Sequence, residues 1–205
     1  MKFTSTLIKG KLIKRYKRFF TDINVNNELI TAHCPNTGSM MGLLSKGNEV
    51  WVTQNDNPNR KLKYTLEIIK KGKNLIGVNT HRANRIVQHG LKNKLIDEFK
   101  KVKLIKPEFK FSKDTRFDFL CDKKIIEVKN VTLTRENKIA EFPDAVTSRG
   151  TKHLIRLVDS MKKKYDPYVL FLTQIQGIEY FKIAKDIDYN YYENYLIAKK
   201  AGVNF

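Results

Sequence analysis

The sequence predicts an α+β chain in two parts, a small all-β barrel followed by a mixed α/β domain. Three observations carry that expectation. Short alternating apolar and polar runs fill residues 1–82, with no long helical pattern among them. From residue 83 the apolar spacing changes to the helical period and then switches between helix and strand. The 205 residues are 41% hydrophobic and 11% aromatic, enough to build packed cores and too much for a disordered chain.

In the first part, residues 19–25 alternate, Asn26-Asn27 supplies a tight turn, and residues 28–34 run back as the second arm of a hairpin. Residues 49–53, 62–70 and 75–79 add further strands, the last two separated by Lys71-Gly72-Lys73-Asn74. About five short strands within about 80 residues suit a small barrel of the OB type.

In the second part, Val87, Leu91, Leu95 and Phe99 recur at steps of four and predict a helix over residues 83–99, with Gly90 as its weak point. Strands follow at 102–111, 116–120 and 124–133. The strongest helix covers 148–164, with Leu154, Leu157, Val158 and Met161 on one face and Thr147 or Ser148 as its cap. Residues 168–175 are nearly all apolar, as in a strand buried on both faces. A last helix over 189–200 ends before Gly202. This order is the core order of the restriction-endonuclease-like, PD-(D/E)xK, fold. No Pro- or Gly-rich linker separates the two domains, 1–82 and 83–205, so they are closely joined.

Charge narrows the function. Forty Lys and Arg against 21 Asp and Glu give a net charge of +19. It is spread: residues 1–82 hold 15 basic and 5 acidic side chains, and residues 83–205 hold 25 and 16. A surplus of this size attracts polyanions through counterion release, and DNA is the expected partner, although no residue separates DNA from RNA. Lys outnumbers Arg and Asn is abundant, as also happens when neutral surface sites drift in an AT-rich genome. No run of about 18 apolar residues exists, so no transmembrane helix and no membrane partner is expected. Residues 1–10 lack the apolar stretch of a signal peptide, and a cytoplasmic location follows. Cys34 and Cys121 are the two cysteines, far apart, which argues against a disulfide scaffold or a zinc site.

Two basic constellations are candidate nucleic-acid contacts. Arg15, Tyr16, Lys17 and Arg18 interleave cations with a stacking ring, and Arg60 and Lys61 lie in a basic exposed loop. The same pattern also fits an ordinary half-buried strand with solvated charges. On the strong helix, Arg149, Lys152, His153 and Arg156 fall at i, i+3, i+4 and i+7, opposite the apolar face.

The most specific chemistry lies between residues 116 and 129. Period-two geometry puts Glu127 and Lys129 on one face of their strand. A two- or four-residue connection sets a register that pairs 120 with 125 and 118 with 127. Asp118 and Glu127 then face each other, about 5 Å apart at Cβ. Two such carboxylates repel unless a cation sits between them, and Mg²⁺, or Mn²⁺ in its place, is the expected metal. Lys129 is then poised to orient water or neutralise phosphate charge, which makes Asp118, Glu127 and Lys129 candidate catalytic residues of a phosphodiester hydrolase. Phe117 stands where the fold's proline usually precedes the aspartate, and Pro143-Asp144 falls after the strand, on a connection.

These motifs also resemble a known family. Arg15-Tyr16-Lys17-Arg18-Phe19, the run from His33 to Met40, Asn57-Pro58-Asn59-Arg60-Lys61 and Gly77-Val78-Asn79-Thr80 carry the resemblance in the first part. Arg116-Phe117-Asp118-Phe119-Leu120, the run from Glu127 to Leu133, the run from Phe142 to Gly150 and Lys152-His153-Leu154 carry it in the second. Together they are similar, in order and over nearly the whole chain, to the bacterial and archaeal sugar fermentation stimulation protein A family. That resemblance implies an OB-like domain joined to a nuclease-like domain, non-specific DNA binding, and a regulatory role in sugar (maltose) metabolism.

Overall fold

The computed structural model describes Lys2, Phe3 and residues 5–205. Six strands come first: β1 (Leu7–Tyr16), β2 (Phe20–Val25), β3 (Glu28–His33), β4 (Glu49–Gln54), β5 (Tyr64–Lys71) and β6 (Asn74–Gly77). They pair in the order β3-β2-β1-β4-β5-β6, and parallel pairing of Ala32 with Tyr64 and of His33 with Thr65 joins β3 to β5. Five strands thus close into an OB-type barrel, and β6 extends one edge. The closure needs β1 to serve two neighbours, β2 and β4, and its pairing with β2 shifts register between Leu12 and Lys14. Gly10 lets β1 lie close against β2, because a Cβ there would lie 2.5 Å from Ile23 Cγ2 and 2.8 Å from the Asn24 carbonyl oxygen. Leu12, Ile23, Val50, Val52, Leu66 and Ile69 fill the interior.

The β2–β3 hairpin turns at Asn26-Asn27, both at positive φ, as the two-residue turn requires. Residues 131–144 and 173–182 belong to the same compact unit as residues 1–81. They contribute β10 (Ile139–Phe142) and most of β12 (Tyr180–Ile183), two short strands that pair with each other. Their alternation is too brief to stand out in the sequence. Asp144 shows what the Pro-Asp pair does: its carboxylate accepts the Met40 N–H, and its carbonyl accepts the Ser39 hydroxyl.

The second unit comprises residues 82–130, 145–172 and 183–205. Its sheet has the order β11-β9-β8-β7, from β7 (Ile105–Lys110), β8 (Arg116–Cys121), β9 (Lys124–Val131) and β11 (Asp166–Thr173). Helices α1 (Thr80–Lys92), α2 (Ser148–Met161) and α3 (Tyr189–Ala201) complete it, with a 3₁₀ turn at Asp97–Phe99. Ala83, Val87 and Leu91 of α1 pack with Phe99, Phe119, Ile126 and Val128.

The predicted helix over 83–99 is corrected: α1 starts earlier and stops at Lys92. Lys94 takes positive φ, and the Leu95 N–H reaches the Gly90 carbonyl while the Lys94 N–H reaches Leu91, a Schellman closure. Leu95 is consequently exposed, outside the core that its spacing implied. β11 is likewise half-buried along much of its length, not buried on both faces. Among the described residues, no helix is long and apolar enough to cross a membrane.

Candidate nucleic-acid interface and carboxylate centre

On the barrel, the sequence-predicted contacts fall on the β1–β2 turn and the β4–β5 loop. Lys17 and Arg18 form the turn, exposed and at positive φ. Tyr16 and Phe20, the residues flanking it, pair across the ladder and stack at 5.4 Å with 17° between ring planes. Phe20 pairs with His33, and Arg60, Lys61 and Leu62 from the β4–β5 loop line one recess with both. Phe19 stacks on His33 at 6.2 Å. Burial, followed by the charges of His81 and Arg60, lowers the pKa of His33.

Arg15 departs from its expected role. Its guanidinium donates to the carbonyls of Arg18, Gly38 and Asn36, at 2.8, 3.0 and 2.6 Å. It braces the loop after β3, and these bonds occupy three of its five N–H donors.

In the second unit, the carboxylates arise from a short hairpin. Asp122-Lys123 is a two-residue turn, with Asp122 at positive φ and its carboxylate accepting the Lys103 and Leu104 N–H groups. Pairs 121–124, 120–125 and 119–126 follow, so the expected 120–125 pair forms, whereas the expected 118–127 pair does not. At the next step the ladder opens. Asp118 Oδ2 accepts the Val128 N–H at 2.7 Å, and Oδ1 accepts from Asn84 on α1 at 2.7 Å. Burial, then the nearby charge of Glu127, raises the Asp118 pKa to about 6 in spite of these bonds.

Glu127 is 4% exposed. Its Oε1 accepts from Lys129 Nζ at 2.7 Å and from His153 Nδ1. Burial pushes its pKa up, but Lys129 and His153 outweigh that and hold it below the usual carboxylate value. Among the described residues its other oxygen, Oε2, is buried with no hydrogen-bond partner. An unpaired buried carboxylate oxygen is costly in a folded chain, and its lone pairs are able to accept a donor or a cation.

The α2 ridge is partly corrected as well. His153 is 7% exposed, bonded to Glu127 and packed edge-on against Phe117, so it is not a surface phosphate contact. The Gly150 N–H at the start of α2 is taken by the capping Thr147 hydroxyl. Lys152 and Arg156 are exposed enough to reach solvent, yet both pair with Asp114, at 3.0 and 3.2 Å. Arg149 is exposed, and with Lys110, Lys113, Arg116 and Lys152 it lines an open groove around Asp114. Sequence reading missed Asn84 and Asp114. Asn84 sits one residue from the apolar stripe of α1, and Asp114 lies in a polar turn, and neither position announces its partner.

Two family models match in chain order: an SfsA N-terminal OB domain over residues 13–78, and a sugar fermentation stimulation protein RE domain over residues 81–205. The chain belongs to the sugar fermentation stimulation protein family. A family homolog from Pelagibacter ubique (strain HTCC1062) is 65% identical over 209 residues, spanning 100% of this chain and 90% of the relative. One from Pseudoalteromonas atlantica is 43% identical over 211 residues, spanning 99% and 90%. Among solved structures, the SfsA of Pyrococcus furiosus, in complex with Ca²⁺, matches with a TM-score of 0.89 at 22% identity. That match covers 100% of this chain and 89% of the other, and it shows that the family's fold is shared.

Proposed function

We propose that the protein binds DNA with little sequence preference, through the barrel surface that carries Tyr16, Lys17, Arg18, Arg60 and Lys61 and through the groove beside Arg149. The observation that carries this reading is the convergence of rings and cations from two separate loops on one barrel surface. OB barrels bind oligonucleotides through the strand 2–3 face and these two loops. A cytoplasmic location goes with such a ligand, and a role in sugar metabolism, implied by the family, would act through it. Among the described residues, no helix-turn-helix pair with a base-reading recognition helix accompanies the cations. Unrelated duplexes of equal length should therefore bind equally in fluorescence anisotropy. Replacing Arg60 and Lys61 together by alanine should weaken all of them alike and lower the salt slope by about one per lost contact. Strong preference for one sequence, or unchanged binding by the double variant, contradicts the reading.

Glu127 Oε2 favours a second reading, a divalent-metal centre for phosphodiester hydrolysis. The donor set fits: two mutually repelling carboxylates, one of them with a buried unpaired oxygen, offer the hard ligands that Mg²⁺, Mn²⁺ or Ca²⁺ takes. The Ca²⁺ complex of the Pyrococcus relative agrees with that chemistry. Asp118 and Glu127 would hold the ion, which supplies Lewis-acid polarisation of the phosphodiester. Asn84 and the Val128 N–H fix Asp118, while His153 fixes Glu127. Lys129 Nζ lies at the carboxylate, where it orients water or offsets charge building on phosphate. Mg²⁺ or Mn²⁺ should raise thermal stability, by about 2.7 kcal/mol at a hundred times the dissociation constant. Lys129→Ala should keep that response and lose metal-dependent cleavage of labelled DNA. A melting temperature indifferent to divalent ions contradicts the centre.

A further inference from the structure

We infer that the barrel surface is a stacking platform for unpaired nucleotides and takes single-stranded DNA in preference to duplex, an inference that rests on the DNA-binding reading above. Residues directly opposite in an antiparallel ladder project from the same face. Tyr16 opposes Phe20, and Phe20 opposes His33, so three rings form a row across β1, β2 and β3. Phe19 adds a fourth by stacking on His33. Tyr16 is 36% exposed and Phe19 42%, large rings left open to water on a barrel whose interior is otherwise filled by aliphatic side chains.

Exposed rings of this kind gain from a partner that covers them, and the fringe decides which partner. Lys14 lies 5.3 Å over the Tyr16 ring, Lys17 and Arg18 form the exposed turn next to it, and Arg60 and Lys61 line a recess with Phe20 and His33. A cationic border attracts a polyanion, repels a basic surface and gives a neutral apolar one no Coulomb gain, so the ligand carries phosphates as well as flat faces. Duplex DNA closes its base faces within its own stack. An unpaired strand presents them, and every base has a π-face to offer.

The test uses the full chain with three probes: a thymidine oligonucleotide of about twelve nucleotides, a duplex of the same length, and the matching uridine oligonucleotide. The thymidine strand should bind more tightly than the duplex at equal salt. Phe19→Leu keeps apolar bulk and removes the ring. It should weaken single-strand binding by about 5- to 150-fold, the range of one lost base stack, and leave duplex binding within about twofold. The same loss on the uridine strand would extend the ligand to RNA. Because Phe19 is exposed, an unchanged melting temperature checks that the variant is folded. Equal losses on single strand and duplex, or no loss on either, overturn the platform. Wild-type protein that binds duplex and ignores the thymidine strand overturns this inference alone, whereas failure to bind any probe overturns the DNA-binding reading itself.

Discussion

Asp118 is where pH acts on this protein most directly. Burial, then the charge of Glu127, raises its pKa to about 6, above the ordinary aspartate value near 3.9. The folded state therefore holds this proton more tightly than the unfolded chain does. The resulting stability is complete below about pH 4 and is lost as pH rises toward 6, which amounts to about 3 kcal/mol at pH 7. Asn is isosteric with the protonated acid. Asp118→Asn in chelator-treated protein should thus raise stability by up to about 3 kcal/mol at pH 7 and leave it unchanged near pH 4, as urea unfolding at the two pH values will show. An identical difference at both values would contradict the assignment. Glu127 behaves oppositely, because its charge is paired with Lys129 and His153. Glu127→Gln should cost about 3 kcal/mol at pH 7 by leaving the buried Lys129 ammonium unmatched. Of this cluster, Asp118, Glu127 and Lys129 were legible, because alternation and hairpin register are local properties. Asn84 and the burial of His153 were not, since they depend on which helix face packs against the sheet.

Among the elements, β1 carries the barrel. Its close approach to β2 depends on the absence of a side chain at Gly10, where a Cβ would meet Ile23 and the Asn24 carbonyl. Gly10→Ala should destabilise the protein by about 1–3 kcal/mol, measured by urea unfolding, and a neutral result would mean that the barrel yields without cost. The β2–β3 hairpin was readable because Asn26-Asn27 names its own turn, and α2 because its apolar stripe is long. The end of α1 was misread because Leu95 and Phe99 continue the spacing after the backbone has already closed at Lys94. A four-residue spacing records periodicity, whereas a chain reversal needs only one residue in the left-handed region. β10 and β12 escaped for a different reason. Four residues give alternation too few repeats to register, and their pairing joins segments far apart in the chain.

At the scale of the whole molecule, the net charge of +19 governs what approaches it. Some of the cationic side chains are engaged within the fold: Arg15 donates to loop carbonyls, and Lys152 and Arg156 pair with Asp114. The sequence shows the surplus but not this internal use, because partner choice is settled by tertiary packing. Lys17, Arg18, Lys61 and Arg149 are exposed cations on the two surfaces described above. If these and their neighbours grip DNA phosphates, binding must release counterions. The direct measurement is titration of one duplex at salt concentrations from about 50 to 200 mM. Engagement of about six to ten phosphates predicts a fall in affinity of about 10³–10⁵-fold across that range. Affinity that stays flat as salt rises would contradict phosphate-based DNA binding by this protein.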